Sequence, residues 1–203
     1  PIVGFILYLI IGQDYHKNKM FKAKEIEGEL KYAVRRQEET IYHRQLKMTS
    51  PALNRFRDLV LYNLEAGQAV LTDNNDIRIY TDGKEKFHAL IEEMKRAKKY
   101  IHVQYYIIRN DEVWQDIEKV LIEKAHEGVE VRVLFDSMGC RTMHKRDWDR
   151  LKCEGIRVAE FFPAILGQLQ MRVNYRNHRK IVVIDGKVGF VGGFNVGREY
   201  IGK

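Results

Sequence analysis

The sequence predicts an α/β domain with a mostly parallel mixed sheet flanked by helices, and three observations carry that expectation. From residue 76 onward, short β-branched runs alternate with longer stretches whose apolar residues recur at helical spacing. The stretches between consecutive runs are long enough to be crossover helices, so those runs are expected to pair in parallel. The segment "NYRNHRKIVVIDGKVGFVGGFN", residues 174 to 195, instead joins two runs through Asp185-Gly186, which adds one antiparallel pair.

The chain opens with "PIVGFILYLIIG", twelve residues without a charge. A bilayer span takes roughly 20 apolar residues, so residues 1–12 are expected to be the end of a transmembrane helix. A buried strand or a terminal segment of a soluble protein is the plainer alternative. His16, Lys17, Lys19, Lys22 and Lys24 follow at once, and lysines at the end of a span mark its cytoplasmic side. The order is apolar first and basic second, the reverse of a signal peptide. Residues 13–75 then read as a basic and helical juxtamembrane linker. Within it, Leu53, Phe56, Leu59, Val60 and Leu64 form one helical stripe, with Ser50 as N-cap, Pro51 at the first helical position and Gly67 as the stop.

Residues 76–203 form the body. "DIRIYTDG" reads as a strand and "KEKFHALIEEMKRAKK" as a helix with Phe87, Leu90, Ile91 and Met94 on one stripe. "YIHVQYYII" is a strand, "DEVWQDIEKVLIEKAHEG" a helix stopped at Gly128, "VEVRVLFD" a strand, "RTMHKRDWDRLKCEG" a helix and "IRVAEFF" a further strand. In such sheets ligands bind beyond the strand ends. Position alone therefore makes candidates of His102, Gln104, Asp136 and the loop "SMGCRTMHK", although the first two also suit a plain strand and Asp136 a cap. His88, His126 and His144 fall on predicted helices at no ligand spacing and read as surface residues.

Composition narrows the function classes. With 45% hydrophobic and 31% charged residues the chain is globular. A net charge of +7 favours an anionic partner, a nucleic-acid backbone or an acidic lipid surface, without choosing between them. Cys140 and Cys153 stand apart with no metal-ligand spacing, so both read as reduced thiols and no metal site is expected.

The hairpin carries the chemistry. Arg172, Asn174, Arg176, His178 and Lys180 share one parity and hence one face of an extended chain. The apolar run that follows, residues 181 to 184, suggests a strand buried on both faces, in which a histidine and a lysine need an anion as partner. A neutral imidazole can attack phosphorus, a lysine can neutralise phosphoryl oxygens, and arginine suits phosphate through paired N–H bonds. Asp185 has the opposite parity and is equally explained as the first residue of an Asp-Gly turn. In "VGGFN", Gly192 and Gly193 allow close backbone approach and Asn195 can donate to an oxygen.

His178, Lys180, Asp185, Gly192, Gly193 and Asn195 together fit H-x-K-x4-D followed by x6-G-[GS]-x-N, and the chain thereby resembles the phospholipase D superfamily. With "NYRNHRKIVVIDG", "FFP", "YYIIRND" and the apolar N-terminus, it is similar over its whole length to the bacterial cardiolipin synthases of that superfamily. The resemblance implies a phospholipase D-like fold, with 76–203 as the first catalytic half. It implies His178, Lys180 and Asp185 as catalytic residues, His178 being the nucleophile or acid/base partner. Asn195, Gly193 and Arg176 would bind substrate phosphate. The reaction would move a phosphatidyl group between two phosphatidylglycerol molecules, through a phosphohistidine, giving cardiolipin and glycerol without metal or other cofactor. The partners implied are phosphatidylglycerol, the bacterial cell membrane with the domain on its cytoplasmic side, and a C-terminal half bearing a second H-x-K motif, which this sequence lacks. No nucleic acid is expected on that reading. The alternatives are a nuclease or phosphodiesterase of the same superfamily, in which two single-motif chains pair, and a non-catalytic membrane-bound scaffold.

Overall fold

The computed structural model describes residues 4–5, 29–42, 54–67, 69–72, 75–161 and 176–202. The chain forms two compact units, one within residues 13–78 and one that includes residues 79–203. Of residues 1–12 only Gly4 and Phe5 are described, both helical, so the expected end of a transmembrane helix lies outside the described residues. Among the described residues no helix is long and apolar enough to cross a membrane.

The first unit contains α1 (Glu29–Tyr42) and α2 (Arg57–Gly67). Val34 and Leu64 are buried against Val60, Leu61 and Val70. Gln37 ties α1 to the chain after α2 at two points: its Nε2 donates to the Leu71 carbonyl at 2.8 Å and its Oε1 accepts from the Leu71 N–H at 2.6 Å. The predicted stripe is only partly buried, because Phe56 and Leu59 face solvent. Gly67 closes the helix from within its last turn, while Ser50, Pro51 and Leu53 lie outside the described residues.

The second unit is built on β1 (Tyr100–Tyr105), β2 (Glu130–Asp136), β3 (Arg157–Phe161), β4 (Ile181–Ile184) and β5 (Val188–Val191), in the order β3-β2-β1-β4-β5. The β1–β2 and β2–β3 pairs are parallel and the β1–β4 and β4–β5 pairs antiparallel. The crossovers run through α4 (Glu112–His126) and α5 (Lys145–Cys153), and α3 (Gly83–Lys95) precedes β1. Side chains on the helices pack onto one face of the sheet. Phe87, Leu90 and Met94 of α3, Trp114, Ile117 and Leu121 of α4, and Trp148 and Leu151 of α5 join one core with Ile101, Val103, Val131, Val133, Val182 and Ile184. Caps fix the helix starts: Asp82 Oδ1 accepts from the Glu85 N–H, and Asp111 Oδ1 from those of Val113 and Trp114.

Two expectations need correcting. The run 76–80 forms no strand: it has no ladder partner among the described residues, and Ile77 and Ile79 are 80% and 84% exposed. Only the Tyr80 ring is engaged, stacked 6.4 Å from Phe190 of β5. The strand through His178 is also shorter than its apolar character suggests. Residues 176–180 belong to no strand, and β4 is buried on the Val182 and Ile184 face and half-buried on the other. Arg172, Asn174 and the proline of "FFP" lie outside the described residues.

Candidate active site

One end of the sheet collects the chain ends that matter. The antiparallel register sets Ile181 of β4 against Gln104 of β1, so the residues ahead of β4 run beside Tyr105 and Tyr106 as these leave β1. Parallel pairing brings the last residues of β2 to the same edge. The Gly192 N–H, just past β5, reaches the Lys180 carbonyl at 3.4 Å.

At this end His178 is exposed and Lys180 is buried to 7% exposure. Lys180 Nζ lies 2.9 Å from His178 Nδ1 and donates to the His178 carbonyl at 2.7 Å. The Tyr106 ring stands 4.4 Å from the imidazole, tilted by 49°, and 5.3 Å from Lys180 Nζ. Burial holds the Lys180 amine below its usual pKa, because the charged form loses hydration. With Lys180 protonated, Nδ1 is the acceptor, and a neutral imidazole then carries its proton on Nε2.

Beneath this pair lies a polar support. Asp136 is fully buried at the end of β2. Its Oδ1 accepts from the Met138 N–H and its Oδ2 from the Asn177 N–H, both at 2.9 Å. Arg176 Nη1 lies 3.8 Å from Asp136 and 3.4 Å from the Ser137 hydroxyl. Asn177 Oδ1 accepts from Gln104 Nε2 at 2.8 Å. Asp136 and Gln104 thus fix the segment on which His178 stands. Arg176, expected to bind phosphate, is engaged in this support through Asp136 and Ser137. Gly139 passes so close to Tyr106 that an added Cβ would stand 1.9 Å from the Tyr106 carbonyl oxygen. Only glycine lets the 137–140 loop sit against the end of β1.

Asn195 is buried: its Oδ1 accepts from the Ile107 N–H at 3.1 Å, and its Nδ2 donates to the Tyr200 hydroxyl at 2.7 Å. The Ile108–Val196 bridge extends the same attachment. Gly192 and Gly193 are exposed, and a Cβ at either would meet nothing within 4 Å. Packing within the described residues does not call for glycine there.

The structure does not bring Asp185 to His178 and Lys180. At about 3.3 Å per residue the seven steps between His178 and Asp185 span roughly 20 Å. Asp185 takes a left-handed conformation, φ 54°, in the turn ahead of β5. Its carboxylate accepts from the N–H groups of Lys98, Lys99 and Tyr100 at 2.8, 2.8 and 2.9 Å. Those bonds, the one from Tyr100 foremost, hold its pKa below the usual carboxylate range. Its position explains the motif's third member as a clamp on the start of β1.

The remaining candidates lie elsewhere. His102 stacks on Tyr100 at 4.5 Å and bonds Glu130 in mid-strand. His88 is exposed, His126 bonds Glu154 at 2.7 Å, and His144 caps α5 rather than lying on it. Both cysteines are free, and burial pushes the Cys140 thiol up to about 12. Among the described residues no cluster could hold a metal ion. Sequence reasoning missed Tyr106 and Asn177. The first was hidden in an apolar run, and the second had the wrong parity for the His178 face.

The family described as cardiolipin synthase, PLD-like domain, matches residues 90–202. The chain is 44% identical to a cardiolipin synthase 2 of Staphylococcus epidermidis and to a cardiolipin synthase of Oceanobacillus iheyensis, in each case over the whole chain and 42% of the relative. It spans less than half the length of these curated relatives. Among solved structures, NucT from Helicobacter pylori superposes with a TM-score of 0.45 at 18% identity, over 58% of this chain and 71% of that one.

Proposed function

Since this chain belongs to the family of cardiolipin synthase PLD-like domains, we propose that the protein is a phosphatidyltransferase that joins two phosphatidylglycerol molecules into cardiolipin. The observation that carries this reading is the close contact of Lys180 Nζ with His178 Nδ1 at an open end of the sheet. A substrate phosphodiester draws the ammonium off Nδ1 and onto its own oxygens. The imidazole proton then resides on Nδ1, which leaves a lone pair on Nε2. Nε2 attacks phosphorus, the P–N bond forms and the bond to the leaving glycerol oxygen breaks. The leaving oxygen takes a proton from a general acid, which we assign to the histidine of a second motif outside this sequence. In the return step a hydroxyl of the second phosphatidylglycerol attacks phosphorus and gives its proton to that same group. The P–N bond breaks, releasing cardiolipin and restoring His178.

In this scheme Lys180 neutralises the phosphoryl oxygens, and the open space over Gly192 and Gly193 lets backbone N–H groups approach them. The second hydrogen on Asn195 Nδ2 and a reoriented Arg176 are further donors to phosphate. We assign residues 76–203 to the first catalytic half and 13–75 to a juxtamembrane linker. Residues 1–12 become the end of a transmembrane helix, which sets the domain on the cytoplasmic face of a bacterial cell membrane. The apolar run followed at once by lysines supports that placement.

A covalent trap tests the chemistry. The intact protein is mixed with phosphatidylglycerol labelled in its phosphate and glycerol, quenched at alkaline pH and mapped by mass spectrometry. Acid-labile phosphatidyl label on His178, with free glycerol released, is the expected result. Continued turnover with His178 unlabelled, or cleavage of nucleic-acid diesters in place of lipid transfer, overturns the reading.

A further inference from the structure

A cavity of about 410 Å³ opens between β2, β3 and α5, within the range of roughly 300–1,000 Å³ typical of small-molecule sites. Its floor is apolar: the Phe135 and Trp148 rings stack at 3.9 Å and 9°, with Met143 and Val158 beside them. Its rim is charged. Asp149 accepts from both Lys145 and Lys152, so one carboxylate is shared by two ammonium groups. Arg141 has no carboxylate partner among the described residues; its guanidinium bonds the Met138 sulfur at 3.3 Å. The other acid on the rim, Glu160, is held toward its neutral form by burial and by the charge of Asp136. The mouth therefore suits an anion and the floor a hydrocarbon chain.

The cavity adjoins the active site without containing a competent nucleophile. Ser137 lines it and also contacts Arg176, two residues ahead of His178. The Cys140 thiol that lines it stays protonated at neutral pH, since burial raises its pKa. A phosphodiester held at this rim is anchored and not attacked. The proposed reaction needs such a place, because it consumes two phosphatidylglycerols and only one of their phosphates reacts.

We propose that this cavity is the site of the acceptor lipid: Arg141 holds the unreactive phosphodiester of the second phosphatidylglycerol, Phe135, Met143, Trp148 and Val158 take the start of one acyl chain, and the glycerol headgroup reaches past Ser137 to the phosphorus on His178. The assignment rests on the phosphatidyltransferase reading and adds to it a second, non-reacting lipid site. It makes Arg141 a determinant of which alcohol intercepts the phosphohistidine.

Two measurements on the intact protein test it. Phosphatidylglycerol with a photoreactive group near the head of its acyl chain is cross-linked and the adducts are mapped. Adducts on Met143, Trp148 or Val158 support the site, and adducts confined to other segments overturn it. The second measurement gives the phosphohistidine a choice between phosphatidylglycerol and labelled free glycerol, a small alcohol that needs no lipid site. Arg141→Glu is expected to lower the ratio of cardiolipin formed to glycerol exchanged by about tenfold, the effect of losing one charge-assisted contact. An unchanged ratio overturns the proposal while leaving the transferase reading intact. A wild-type protein that forms no phosphohistidine removes the transferase reading and the acceptor site with it.

Discussion

His178 and Lys180 stand where β4 begins and Asp185 where it ends, with four apolar residues between them. The first end is built for change. His178 is exposed, the amine beside it is destabilised as a cation by burial, and their contact is one an incoming anion can displace. The second end is built for permanence, with a carboxylate saturated by three backbone N–H groups. Under the proposed mechanism, one sequence motif serves two purposes, chemistry at its start and architecture at its finish. β4 joins them because the strand that presents the histidine must itself be held in register against β1.

The largest effect that sharpens this contrast is expected from His178→Asn. Phosphatidyl transfer should fall by at least about 10⁴-fold, as when a nucleophile is removed elsewhere. The melting temperature should not fall, since the exposed ring supports little else. Activity assays and a thermal melt on the same sample check both halves of the statement.

Next in size is Asp136→Ala. It strands the N–H groups of Met138 and Asn177 and removes the carboxylate that Arg176 faces at 3.8 Å. Removing one member of a buried ion pair costs about 3–5 kcal/mol, to be read from the denaturant midpoint. A cost under about 1 kcal/mol would mean that the support beneath His178 is dispensable.

A smaller and pH-dependent effect belongs to Lys86, which is buried in α3 with its Nζ on the Tyr105 hydroxyl at 2.7 Å. Burial lowers its pKa to about 7 from 10.5. Between those values the unfolded chain binds a proton that the folded chain does not, so stability rises with pH, by about 1.4 kcal/mol per unit. Lys86→Met should abolish that rise. Denaturant midpoints that keep the same slope in the variant would show that Lys86 is not its source.

Much of this was legible in the sequence. Phe87, Leu90, Ile91 and Met94 marked the stripe of α3, and Asp-Gly between two β-branched runs announced the β4–β5 turn, where both residues take positive φ. Local spacing gave those features because local bonds make them. The strand expected at 76–80 failed because its residues suit an extended conformation, and spacing says nothing about whether a neighbour offers a ladder. Arg176 and Asn195 looked free to meet phosphate. Their partners Asp136, Ile107 and Tyr200 could be found only once the chain had folded. Asp185 shows the same limit most clearly, since the N–H groups it binds lie 85 to 87 residues back along the chain.

The most direct test of the contrast between the two ends of β4 is the amount of phosphohistidine formed per folded molecule in Asp185→Asn. The variant should melt at a lower temperature, and its extra stability above the ordinary carboxylate pKa should be lost. At a temperature where it remains folded, it should trap phosphatidyl label on His178 as fully as the wild type does. A folded variant that fails to label His178 would show that Asp185 belongs to the chemistry and not to the frame.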